Sequence, residues 1–182
     1  KTRVAPSPTG KFHIGTARTA LINYIFAKQN NGKFLLRMED TDTVRNKPEH
    51  EEEIKNGLKW LGLNWDGEIV YQQKRTERYQ EIIDQLVKKE FAYKKNSAIW
   101  FKIPSKRTIK VNDLIRGEVK FESADLKDFV ILRSDKSPIF YLSGVVDDHD
   151  FGVTHVIRGE EHLSNTPKQI LIIEALGWNI PI

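Results

Sequence analysis

Arg3-Val4-Ala5-Pro6-Ser7-Pro8-Thr9-Gly10-Lys11-Phe12-His13-Ile14-Gly15-Thr16 leads from an extended apolar start, through a Pro/Gly turn, to a His-x-Gly step at the head of a helical pattern. A turn that feeds a helix N-terminus makes an anion site. The first-turn N–H groups there have no intrahelical partners, and the macrodipole is positive. A histidine at the mouth of such a site can donate a hydrogen bond to a phosphate. Alone, His13-Ile14-Gly15 carries little weight, because a lone histidine is more often structural than catalytic. A strand before it, a tight turn between and a helix after it favour the anion cradle. Gly15 then either leaves room for a nucleotide or serves simple packing at the helix start.

Working outward, residues 1–6 read as a short buried strand and Pro8-Thr9-Gly10 as the turn. A helix is expected over about 15–29, with Ala17, Ala20, Leu21, Tyr24 and Ile25 as its apolar stripe and Asn30-Asn31-Gly32 as its stop. Phe34 to Met38 has strand length and ends in Glu39-Asp40-Thr41-Asp42. Strand, helix and strand with short connections form a βαβ unit, whose ligands sit beyond the carboxyl ends of the strands. That rule puts Gly15 and Glu39 on one rim. Further helices are expected over 48–61 and 76–89. Strand texture follows at 99–103, 118–121 and 129–132, a core strand at 153–158 and a helix at 166–176. The order α/β, strand-rich lobe, α/β implies an insertion inside a nucleotide-binding fold.

Arg3 on an inner strand would be costly to bury unpaired. Glu39 is either its ion-pair partner or the reader of an amino group. Arg158 ends the predicted strand at 153–158. Two arginines and one glutamate on a rim suit a substrate with two carboxylates and one ammonium, and glutamate is such a molecule. Asp147-Asp148-His149-Asp150 and Asp40-Thr41-Asp42 invite a metal reading. No flanking sequence completes a coordination set, so a polar loop or helix start is the expectation, with no metal site of the protein's own.

Among 182 residues there is no cysteine, which excludes disulfides and a thiolate zinc knuckle. No apolar run reaches membrane-span length and no signal peptide is visible, so a cytoplasmic protein without a membrane partner is expected. The net charge of +4 permits a nucleic-acid partner without requiring one. Lys88, Lys89, Lys94, Lys95, Lys102, Lys106, Arg107 and Lys110 crowd the middle of the chain, where phosphate-backbone contacts would fall.

Taken in order, several segments resemble bacterial glutamyl-tRNA synthetases. They are Ala5-Pro6-Ser7-Pro8-Thr9-Gly10, His13-Ile14-Gly15-Thr16-Ala17-Arg18, Arg37-Met38-Glu39-Asp40-Thr41-Asp42, Leu58-Lys59-Trp60-Leu61-Gly62-Leu63, Val145-Val146-Asp147-Asp148-His149 and the run from Thr154 to Pro167. His13-Ile14-Gly15-Thr16 is similar to the HIGH signature of class I synthetases. The glutaminyl enzymes typically carry different residues at the Pro6-to-Gly10 and Glu39-to-Asp42 places, so the resemblance is to the glutamyl group. The resemblance implies an α/β fold: a Rossmann-like parallel sheet, the class I synthetase catalytic domain, interrupted by an inserted α+β acceptor-stem-binding domain. It implies a catalytic first half at 1–79, the insert at 80–138 and a catalytic second half at 139–182. It further implies that Arg3, Ala5, Ser7, Glu39, Phe140, Gly144 and Arg158 line a glutamate pocket. His13, Gly15 and Thr16 would carry the catalytic signature and meet ATP, with Glu161, His162 and Leu163 near its ribose and adenine. Arg45 would lie near the nucleotide and the tRNA end. The implied partners are ATP with Mg²⁺, L-glutamate and tRNA(Glu), without protein-bound zinc, in a monomer.

Three departures from the family pattern stand out. Phe140 and Gly144 occupy places where the family often has a tyrosine and a larger residue, which removes a hydroxyl contact. The stretch from Tyr93 to Ile99 is short for the insert. A second signature lysine loop and an anticodon-binding domain would be sought after Ile182, so the sequence reads as the N-terminal part of a longer chain that would be nearly inactive alone. A paralogue that glutamylates queuosine in tRNA and a non-catalytic nucleotide- or tRNA-binding module are the alternatives.

Overall fold

The computed structural model describes residues 1–182. They form two compact units, Lys1–Arg75 with Gly152–Gly159, and Thr76–Phe151 with Glu160–Ile182.

In the first unit, β1 (Thr2–Val4), β2 (Phe34–Met38) and β3 (Val70–Tyr71) make a parallel sheet in that order, with Arg3 opposite Leu35 and Arg37 opposite Val70. Helices α1 (Ile14–Gln29) and α2 (Pro48–Trp60) are the crossovers. Parallel pairing needs such crossovers, and burial on both faces explains the near-continuous apolar run of β2. Val4, Phe34, Leu36, Met38, Ile54 and Leu58 make the core with Ala20 and Ala27 of α1. Asp66 fastens the entry to β2. It accepts from the Phe34 N–H at 2.9 Å and from Lys28 at 3.1 Å. The N–H first, then the lysine, holds its carboxyl below the usual range.

Two expectations for this unit are corrected. The buried face of α1 is Ala20, Asn23 and Ala27, whereas Leu21 and Ile25 of the expected stripe are 43% and 44% exposed. Small residues let the helix approach the sheet closely. The side-chain amide of Asn23, fully buried, donates to Thr19 O and Ile157 O, both at 2.9 Å, while the Asn23 backbone carbonyl accepts from the Thr2 hydroxyl at 2.8 Å. Residues 153–158 are not a strand. Thr154 and His155 both send their N–H groups to the single carbonyl of Lys1, at 3.0 and 3.2 Å, so no ladder forms. Arg158 therefore lies on an irregular segment rather than at a strand end.

The second unit opens with α3 (Thr76–Lys88), whose Tyr79, Ile82, Ile83 and Leu86 are buried at helical spacing. β4 (Ala92–Lys95), β5 (Ala98–Phe101), β6 (Thr108–Asp113), β7 (Gly117–Glu122) and β8 (Phe129–Leu132) follow. They form an antiparallel sheet β4-β5-β8 and a separate hairpin β6-β7. The turn between β4 and β5 is Asn96-Ser97, both in the left-handed region at φ 50° and 62°. That is the signature of a two-residue type I′ hairpin. The short Tyr93–Ile99 stretch is thus a closed turn. Helices α4 (Phe140–Asp150) and α5 (Thr166–Leu176) pack with α3 and the strands in one core. No helix is long and apolar enough to cross a membrane.

Candidate functional site

The sheet of the first unit delivers its chain ends to one turn. After β1, the carbonyls of Pro6 and Pro8 accept from Glu39 N at 3.0 Å and Lys47 N at 3.1 Å, tying the Pro-rich turn to the loop after β2. The turn ends on His13, the N-cap of α1, with extended backbone at φ −135° and ψ 169°. Its Nδ1 accepts from Gly15 N at 3.1 Å, satisfying one of the orphan N–H groups. In the neutral ring the proton then sits on Nε2, which faces Thr16 Oγ1 at 3.3 Å. A Cβ on Gly15 would come within 3.0 Å of His13 Cε1, so glycine there lets the imidazole fold over the helix start.

No acidic residue occupies the first turn of α1. The positive end of the helix therefore opens, uncompensated by its own side chains, beside a cleft of ≈ 250 Å³. Ser7, Thr9, Gly10, Lys11, His13 and Thr16 line that cleft. Hydroxyls, an ammonium, an imidazole and a helix N-terminus are the donors a phosphate needs.

Arg3 is buried at 7% exposure in the middle of β1, Ala5 is half-buried and Ser7 exposed. Glu39, just past β2, is held by Arg37 at 2.8 Å, with both side chains largely shielded. Asp40 accepts from Gln73 N at 2.9 Å, and burial pushes its carboxyl up despite that bond. Asp42 takes the Arg45 N–H at 3.1 Å and Arg45 Nε at 2.6 Å, and the guanidinium holds it below the ordinary carboxylate range. Arg45 is otherwise exposed, and Arg158 is half-buried.

In the second unit Phe140 begins α4, with its ring centroid 5.3 Å from Tyr141 and 5.7 Å from His162. Gly144 is buried one turn on. Glu161, His162 and Leu163 share a short 3-10 turn, Glu160–Asn165, in which His162 Nδ1 lies 3.4 Å from Asn165 Nδ2. Asp147 to Asp150 are the last turn of α4, neither loop nor helix start. Asp147, fully buried, accepts from the Tyr79 hydroxyl at 2.9 Å, and Asp150 takes Arg78 through two bonds of 3.0 Å. These acids brace α4 against α3. No group of three His, Asp or Glu side chains is placed to hold a metal ion.

The family described as tRNA synthetases class I (E and Q), catalytic domain, has a model that matches residues 1–99 and 94–182 of the chain. The chain belongs to this family. Glutamate–tRNA ligase of Lawsonia intracellularis is 47% identical over 217 aligned positions, covering all of this chain and 47% of the relative. Glutamate–tRNA ligase 2 of Neorickettsia sennetsu is 48% identical over 180, covering 99% of the chain and 44% of the relative. The crystal structure of a glutamate tRNA ligase from Elizabethkingia meningosepticum, in complex with its amino acid, superposes with a TM-score of 0.93. It is 33% identical over 99% of this chain and 47% of that one. The chain thus spans about half the length of the relatives it matches. The Lawsonia alignment is longer than the chain, and the two family matches meet over 94–99, at the β4–β5 turn.

For this class I family member, sequence reasoning missed Arg37, the partner of Glu39. The signal was there, since i and i+2 along an extended chain share a face. Lys11 and Thr9, which line the cleft, went unnoticed because residue type in a turn does not announce direction.

Proposed function

We propose that the protein, in its full-length form, activates L-glutamate with ATP and passes the glutamyl group to the terminal ribose of tRNA(Glu). The observation that carries this reading is the acid-free N-terminus of α1, capped by His13 and opening beside the ≈ 250 Å³ cleft. A glutamate carboxylate oxygen attacks the α-phosphorus of ATP as the bond to pyrophosphate breaks. A ribose hydroxyl of the tRNA then attacks the acyl carbon and releases AMP. No protein nucleophile takes part; positioning and stabilisation of phosphoryl charge supply the rate.

His13, Gly15 and Thr16 receive ATP phosphates, with Lys11 adding charge, and Glu161 to Leu163 serve the ribose and adenine. Mg²⁺ travels with the ATP, bound largely by phosphates and water. Arg3 and Arg158 take the two carboxylates of glutamate, and Glu39, fixed by Arg37, takes its ammonium beside Ala5 and Ser7. A charge-assisted hydrogen bond worth about 1.5–3 kcal/mol separates glutamate from glutamine. Phe140 and Gly144 wall the substrate without a hydroxyl contact, and Arg45 serves the tRNA end. Residues 80–138 act as the acceptor-stem insert between catalytic halves at 1–79 and 139–182. All eight cations of its basic run are exposed, although Arg107 and Lys110 pair with Glu174 and Glu118. A cytoplasmic monomer suits this role.

Glutamate-dependent ATP–pyrophosphate exchange on the full-length polypeptide, with and without tRNA(Glu), tests the reading. Exchange that depends on glutamate supports it. No exchange under either condition overturns it in favour of a binding module.

A further inference from the structure

Gly57 sits in the interior of α2, where glycine is next to proline the least favourable residue. The turn glycines Gly62, Gly67, Gly117 and Gly177 have left-handed φ values and open space where a Cβ would go. Gly57 has neither: its φ is not positive. Its carbonyl makes an ordinary bond to Leu61 N at 3.1 Å. Backbone freedom therefore does not explain it. Space does. A Cβ at Gly57 would collide with the ring of Phe12, 2.5 Å from Cε1 and 3.1 Å from Cγ.

Phe12 is the residue before His13. Its ring packs on the first unit's core and lines the same cleft as His13 and Ile54, and Ile54 lies one turn before Gly57 on α2. The missing side chain on α2 is thus the seat of a ring whose own backbone ends on the N-cap of α1. We infer that Gly57 is a positioning residue for His13: it admits the Phe12 ring to α2, and that seat fixes the turn presenting the imidazole at the anion cradle. The inference rests on the proposed function for the part His13 plays in the reaction, and on geometry alone for the seat.

Gly57→Ala in the full-length polypeptide adds a single methyl group, in a residue that suits a helix better. If the seat matters, kcat for glutamate-dependent exchange falls about tenfold or more, because small misplacements of catalytic groups are costly, while the KM for glutamate stays within about twofold. The ring resonances of His13, read by NMR with labelled histidine, shift in the same variant. Gly57→Ala combined with Phe12→Leu, which trims the ring that collides, restores both kcat and the resonances. A Gly57→Ala protein with unchanged kcat and unchanged His13 resonances overturns the inference. So does a loss that Phe12→Leu fails to repair. A wild-type protein without exchange refutes the proposed function, and the His13 resonances then decide the seat on their own.

Discussion

Helices α1 and α2 belong to the same unit and face the same physical problem, a positive N-terminus with unpaired N–H groups, and they solve it oppositely. α2 begins with Pro48, which lacks one of the orphan donors, and places Glu49 and Glu51 in its first turn. Glu51 is further engaged by the Tyr71 hydroxyl at 2.7 Å and by Lys55 at 3.2 Å. α1 has no acid in its first turn and only an imidazole as cap. One helix neutralises itself. The other leaves its terminus open, and that contrast is what the proposed ATP site at α1 rests on.

The largest effect expected from breaking this contrast comes from His13→Ala. Glutamate-dependent exchange in the full-length polypeptide should fall about a hundredfold or more, the typical loss for one preorganised donor. Thermal denaturation should show only the cost of a lost cap, about 1 kcal/mol. A fall much smaller than that in exchange would remove His13 from the reaction. Thr16→Glu makes α1 resemble α2. The KM for ATP should rise about tenfold, since a carboxylate now occupies the anion's place, while the helix gains about 0.3–1 kcal/mol. A variant whose ATP affinity is unchanged would show that the field at this terminus is not used.

A smaller effect tests the self-neutralised helix. Burial, then the Glu51 carboxylate, pushes the Tyr71 hydroxyl from 10.0 up to about 12. Its neutral form is therefore favoured in the folded state, and that stability is complete below pH 10 and lost as pH rises toward 12. Burial raises Glu51, but the hydrogen bonds from Tyr71 and Lys55 outweigh it and hold the carboxyl below 4.5. Its share is present above pH 4.5 and lost as the solution is acidified below it. Tyr71→Phe should cost about 1 kcal/mol near neutrality and flatten the alkaline slope of Tm against pH. Glu49→Gln should be the mildest change, about 0.3–1 kcal/mol in denaturant unfolding, shrinking with added salt.

Elements bounded by their own chemistry were readable in advance. β8 and α5 have the predicted limits, the latter with Pro167 in its first turn. The strand β6 was overlooked although Ile109 and Val111 alternate with polar residues, because Lys110 and Asn112 dilute the run. The rotation of α1 was beyond sequence reasoning. Hydrophobicity favours Leu21 and Ile25, yet the hydrogen bonds of Asn23 and the small volumes of Ala20 and Ala27 decide which face meets the sheet. In the candidate site, the histidine step and the acidic run were legible as types at spacings. The Arg37–Glu39 pair was signalled only by its i, i+2 spacing, and the Phe12 ring over Gly57 not at all, since that contact depends on where a side chain turns after the backbone is set.

The Asn96-Ser97 turn has a practical consequence. Both residues are exposed, and the strands they join are held in register from Ala92–Phe101 to Lys95–Ala98. Chain entering and leaving such a tip does so side by side, so extra sequence there costs little more than loop entropy. The hairpin is consequently the natural port for grafting a fluorescent reporter into the protein, with the sheet beneath it serving as the clamp.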